Sequence, residues 1–127
     1  IEGQTLLRAG DYEATLPEFL AHVKEKLGCR MLRYVDSGKP VRKVAVGGGA
    51  CAGERQKAID AGCDTFVTSD VKYNQFRTAY ELGLNIIDAG HFHTENILCN
   101  VLVSKLSQEF DAEVFIPFAN EDLCRYI

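Results

Sequence analysis

No apolar run in this sequence approaches the roughly 18–20 residues needed to cross a bilayer, and the first residues lack the basic-then-apolar order of a signal peptide. A soluble protein is the expectation. Basic charge is also scarce: 14 Lys and Arg against 18 Asp and Glu leave a net charge of −4, which argues against a protein that grips phosphate backbones. Paired cysteines are missing. The five present (Cys29, Cys51, Cys63, Cys99, Cys124) are odd in number and form no CxxC, a pattern of reduced thiols in a cytoplasmic setting and not of a disulfide frame. Methionine occurs once, at Met31, and the chain begins at Ile1, so a piece of a longer protein is expected. No solenoid repeat, low-complexity tract or interdomain linker interrupts the sequence.

What remains is 127 residues with 46% hydrophobic and 25% charged side chains, the size and composition of one globular domain. The charge is unevenly placed. Residues 1–63 carry 10 basic and 8 acidic groups, whereas residues 64–127 carry 4 and 10, making a cation the natural guest of the second half.

Residues 1–14 show no hydrophobic period and read as a poorly ordered leader to a single α/β domain over 15–127. Thr15-Leu16-Pro17-Glu18 has the form of a capping box with proline in the first turn. Phe19, Leu20, Val23 and Leu27 then follow at helical spacing, and Gly28 ends the helix. Strands are expected at 31–35, 42–46, 64–69, 85–89 and 113–116, and helices at 54–61, 74–82 and 94–110. The last helix carries an apolar stripe of Ile97, Leu98, Val101, Leu102 and Leu106. Alternating strands and helices favour an α/β fold, a layered sandwich around a mainly parallel or mixed sheet. Ligands of such sheets gather beyond the carboxyl ends of the strands, which here carry Gly47–Gly53, Ser69-Asp70 and Asp88–Glu95.

The densest polar group is Asp88-Ala89-Gly90-His91-Phe92-His93-Thr94-Glu95, at a junction of strand and helix. If the helix begins by His91, then His91 and Glu95 stand four residues apart on one face. Imidazole plus carboxylate suits zinc, manganese, iron or cobalt, with His93 facing elsewhere. The plainer alternative is that Glu95 favours the positive end of the helix and His91 hydrogen-bonds its own turn, since two ligands do not make a site.

Gly47-x-Gly49-x-x-Ala52 fits a loose dinucleotide fingerprint after a strand, and equally a tight turn that lets a helix pack closely. Its N–H groups are also candidates for a looser anion site. Ser69-Asp70-Val71-Lys72-Tyr73-Asn74 places a carboxylate, an amine and a phenol at one strand end, either for acid–base work or as a cap with surface ion pairs. Cys51 is either a thiol activated by a helix N-terminus or small core filling. Glu121-Asp122 reads as solvated charge.

Three ordered stretches, Val44–Gly49, Ala61–Tyr73 and Leu82–Glu95, resemble the GTP cyclohydrolase I type 2 homologue family, the dinuclear metal-centre or NGG-interacting-factor-like proteins. The resemblance runs from about Thr15 to the C-terminus and covers the family's second half. It implies that His91 and Glu95 are metal ligands, because Gly90-His91-Phe92-His93-Thr94-Glu95 matches the family's GHxxTE stretch position for position. It further implies pocket or supporting roles for Asp70, Lys72, Tyr73 and Asp88. The family's other ligands, two adjacent histidines and an aspartate, belong to the first half, and this chain has no His-His pair, so the metal site is expected to be incomplete here. Two positions depart from the family pattern: Ser69 stands where glycine is usual and Asn74 where histidine is usual, and asparagine cannot transfer a proton near neutral pH.

The resemblance implies a ring-like homo-oligomer, a hexamer, with sites facing an inner cavity. It also implies a two-metal hydrolase acting on a nucleotide or related small molecule. The alternative is a non-catalytic metal-binding scaffold or regulator that recruits a protein partner. This chain by itself is expected to be inactive.

Overall fold

The computed structural model of the protein describes residues 6–127. A five-stranded sheet forms its centre, in the order β1-β3-β4-β5-β2. The strands are β1 (Arg8–Ala14), β2 (Arg33–Val35), β3 (Val41–Val46), β4 (Thr65–Thr68) and β5 (Asn85–Asp88). The three inner strands are parallel, and each edge strand pairs antiparallel to its neighbour. The helices are α1 (Leu16–Leu27), α2 (Arg55–Asp60, led by a 3-10 turn at Ala52–Glu54), α3 (Tyr73–Glu81) and α4 (His91–Glu109).

The alternation of side chains along each strand divides the core in two. Ala45, Phe66 and Ile86 face one side and pack with Ala58 of α2 and Ala79 of α3. Val44, Val67 and Ile87 face the other and pack with Leu16, Phe19 and Val23 of α1. All four residues of β4 and of β5 are buried, as expected for central parallel strands covered on both faces. The α1 start is capped as its sequence indicates, the Thr15 N–H donating to Glu18 Oε2 at 2.9 Å.

Three expectations are corrected. The leader assigned to residues 1–14 is sheet from Arg8 onward; residues 1–5 lie outside the described residues. β1 has no apolar alternation because it is an edge strand held by main-chain pairing to β3, with a register shift between Asp11 and Ala14. It is nonetheless tied in: Leu7 is 0% exposed, and the Tyr12 ring lies tilted against that of Phe19, centroids 5.0 Å apart. Residues 113–116 form no strand, since no strand lies beside them and Phe115 is exposed. The last helix begins at His91, three residues before the expected Thr94, and its apolar stripe is exposed, with none of its residues buried. Among the described residues no helix is long and apolar enough to cross a membrane.

Candidate metal-binding site

The carboxyl ends of β3, β4 and β5 lie side by side and deliver the glycine turn, Asp70 and the start of α4 to one place. Because α4 starts at His91, His91 and Glu95 share a face, with Nε2 of the imidazole 3.2 Å from Oε2 of the carboxylate. Asp70 approaches from the end of β4, its Oδ2 2.6 Å from His91 Nδ1. It does so from a left-handed backbone at φ 53°, which a short polar side chain tolerates. A carboxylate can only accept here, so Nδ1 carries the proton and Nε2 is the atom presented to Glu95. The Asp70 hydrogen bond, reinforced by the Glu95 charge, holds the imidazole pKa above its ordinary value despite some desolvation.

Asp88, also singled out by the sequence, is a strut and not an open donor. It is buried, and its carboxylate accepts from the Val71 N–H at 3.0 Å, from the Gly90 N–H at 3.1 Å and from the Arg33 guanidinium. Arg33 reaches it from β2 and also donates to the Val71 carbonyl. Lys72 and Tyr73, by contrast, begin α3 with exposed side chains and do not line the cavity beside His91, Tyr73 being 84% exposed. Asn74 beside them is exposed too. Ser69 is buried, and its hydroxyl has no partner among the described residues.

The glycine turn serves the interior. The Gly47 N–H donates to the Val67 carbonyl, that of Gly49 to Thr94 Oγ1 and that of Cys51 to Thr68 Oγ1, each at 3.0 Å. A dinucleotide site needs such groups aimed at a pyrophosphate, with a long helix behind them; these are spent, and the helix that follows has six residues. Cys51 is no activated thiol: burial, then the charges of Glu54 and Glu95, push its pKa up, and its Sγ donates to the Gly48 carbonyl.

A cavity of about 670 Å³ opens beside His91 and Glu95. Asp70, Asp88 and Arg33 contribute to its wall, and the C-terminal segment closes one side through Asn120, Asp122 and Tyr126. The reading of Glu121-Asp122 as merely solvated charge is corrected for Asp122. Its Oδ2 lies 3.3 Å from His93 Nε2, and the Cys124 N–H foremost holds its carboxyl below the ordinary range. His93 thus faces the C-terminal segment and not the His91–Glu95 pair. Asn120 adds a hydrogen bond to Asn96 of α4 at 2.6 Å. Arg33, Asp122 and Asn120 carry no local motif; folding alone brings them here.

The donors suit a divalent cation. An imidazole whose far N–H is held by a carboxylate is the usual form of a histidine metal ligand. Two donors each about 2.0–2.1 Å from one tetrahedral ion stand about 3.3 Å apart, close to the observed His91–Glu95 separation of 3.2 Å. Among the described residues no group of three or more His, Cys, Asp and Glu side chains converges as a cation cluster.

A family model described as Duf34/NIF3 (NGG1p interacting factor 3) matches residues 3–122. A Staphylococcus aureus (strain MSSA476) protein named GTP cyclohydrolase 1 type 2 homolog is 33% identical over 104 residues, 81% of this chain and 28% of that protein. A protein of the same name from Nostoc sp. is 42% identical over 94 residues, 72% of this chain and 36% of that protein. Among solved structures, the crystal structure of Staphylococcus aureus hypothetical protein SA1388 superposes with a TM-score of 0.84 at 29% identity, covering 95% of this chain and 42% of that one. The chain therefore spans well under half the length of these relatives.

Proposed function

The chain belongs to the Duf34/NIF3 family, and on that premise we propose that it supplies part of a divalent-metal site in a hydrolase acting on a nucleotide or related small molecule. The observation that carries this reading is the Asp70–His91–Glu95 alignment, with Nδ1 engaged at 2.6 Å and Nε2 turned to a second carboxylate at 3.2 Å. His91 and Glu95 are the ligands. Asp70 fixes the imidazole's tautomer and ring plane, and Asp88 locks the mouth of the strand on which both depend. Zinc, manganese, iron or cobalt each fit an imidazole–carboxylate pair, and the remaining ligands come from polypeptide outside this chain. A bound pair of such ions supplies activation of a water and stabilisation of the oxygen under attack.

This chain's own residues then bind and orient. The cavity beside the pair seats the substrate, with Asn96 and Asn120 offering amide donors and acceptors and Phe92 an apolar surface. The setting proposed is cytoplasmic, consistent with five free cysteines. The assembly proposed is a ring-like homo-oligomer, in keeping with an α4 stripe whose residues remain 39–55% exposed in the described chain. The test is metal-dependent hydrolysis over a nucleotide panel by the family-length protein, chelated and reconstituted. Turnover that returns with metal and is lost in His91→Ala supports the reading.

A second reading is favoured by Asn74, exposed in the first turn of α3 at the position where the family resemblance implies histidine. With no proton-transferring side chain there, the protein would act as a metal-binding scaffold that recruits a protein partner. Partner binding with no turnover on the same panel distinguishes it.

A further inference from the structure

We propose that Gly49 is a positioning residue for the Glu95 carboxylate, its missing side chain leaving the space in which Glu95 and His91 meet; this rests on the metal reading above. A Cβ at Gly49 would stand 2.3 Å from Glu95 Oε1, 3.2 Å from Glu95 Cδ and 3.2 Å from His91 Nε2. The residue's φ of +65° already favours glycine. Its backbone has no freedom to retreat. The N–H is held by Thr94 Oγ1 at 3.0 Å, and the carbonyl accepts from Thr68 Oγ1 at 2.9 Å, the Ser69 N–H at 3.0 Å and the Cys51 N–H at 2.9 Å. Glu95, an exposed side chain with rotatable bonds, is what must yield. Gly48 makes the same case one residue earlier, where a Cβ would meet the Thr94 carbonyl at 3.2 Å. Gly49, one glycine of the loose dinucleotide fingerprint, and its neighbour Gly48 thus serve to seat the first turn of α4 and its carboxylate. Thr94 links the two: its hydroxyl accepts from the Gly49 N–H while sharing its one hydrogen between the carbonyls of Gly90 and His91, so turn and helix are fixed to each other.

The test separates backbone strain from lost space. Gly62 has a similar left-handed φ of +78° with nothing within 4 Å of its would-be Cβ, so Gly62→Ala carries the strain without the collision. Metal-free crystal structures of this chain and Zn²⁺ titrations of the family-length protein are compared for Gly49→Ala and Gly62→Ala, each with and without Glu95→Ala. The expected result is a displacement of the Glu95 carboxylate by about 1 Å or more in Gly49→Ala alone, with the Cα trace unchanged. Zinc affinity falls about tenfold or more in Gly49→Ala and about twofold or less in Gly62→Ala. In the Glu95→Ala background, the effect of Gly49→Ala on zinc shrinks to what the contact with His91 Nε2 leaves. A Glu95 that stays in place, or a Gly49→Ala effect that is undiminished without Glu95, overturns the proposal. If the unaltered family-length protein binds no zinc, the metal reading fails by itself and the crystal structures alone decide the positioning role.

Discussion

Asp70 Oδ2 and His91 Nδ1 stand 2.6 Å apart, joining the end of β4 to the first residue of α4 across 21 positions of sequence. This contact decides which ring nitrogen faces Glu95. Replacing Asp70 by Asn removes the charge and lets either tautomer form. The expected outcome is a His91 pKa that falls back toward its ordinary value and a zinc affinity weakened about 10–100-fold. A histidine NMR titration and calorimetry on Asp70→Asn measure both.

The raised His91 pKa links stability to pH. A group whose pKa is higher in the folded state stabilises that state when protonated. The contribution is therefore fully present below the ordinary value of 6.5 and is lost as pH rises through the raised folded-state value. Urea midpoints of the wild-type chain and His91→Gln should differ most below 6.5 and converge at higher pH. Zinc competes with the same proton, so its affinity should run the other way, weakening as pH falls through that window.

Asp88→Ala should cost about 2–3 kcal/mol in urea denaturation, most of it from the Val71 and Gly90 N–H groups left without an acceptor. The Arg33 ion pair adds little, since that side chain is 57% exposed. The diagnostic comparison is Arg33→Ala, expected to cost about 1 kcal/mol or less.

Leu7→Ala should destabilise the chain by about 2–5 kcal/mol, the range for emptying a fully buried leucine site. A loss near zero in urea denaturation would mean that the segment before α1 is not part of the folded unit.

The sequence showed most of this fold where two signals agreed. α1 combined an N-terminal box, a periodic face and a terminal glycine, and β4 and β5 were short apolar runs between glycine-closed helices. β1 was missed because an edge strand is held by main-chain bonds that leave no pattern in Arg8-Ala9-Gly10-Asp11. The segment 113–116 was over-read for the converse reason: Val114, Phe115 and Ile116 suit a strand, but a strand needs a neighbour. At the site, His91 and Glu95 were legible because four residues of spacing become one helix face. Arg33 and Asp122 were not, since their partners Asp88 and His93 lie 55 and 29 residues away and pairing at that range has no local signature. The glycine turn was legible as a turn, but its purpose depends on a carboxylate 46 residues further on.

The central claim is that His91 Nε2 and Glu95 donate to one divalent cation while Asp70 keeps the proton on Nδ1. The most direct measurement is a Zn²⁺ titration of the chelated family-length protein followed through the ring ¹⁵N resonances of His91, with Glu95→Ala alongside. The expected result is a zinc-dependent shift centred on Nε2, with Nδ1 still protonated and the response lost in Glu95→Ala. A His91 ring that zinc leaves unmoved, or a shift that survives Glu95→Ala unchanged, would contradict the account.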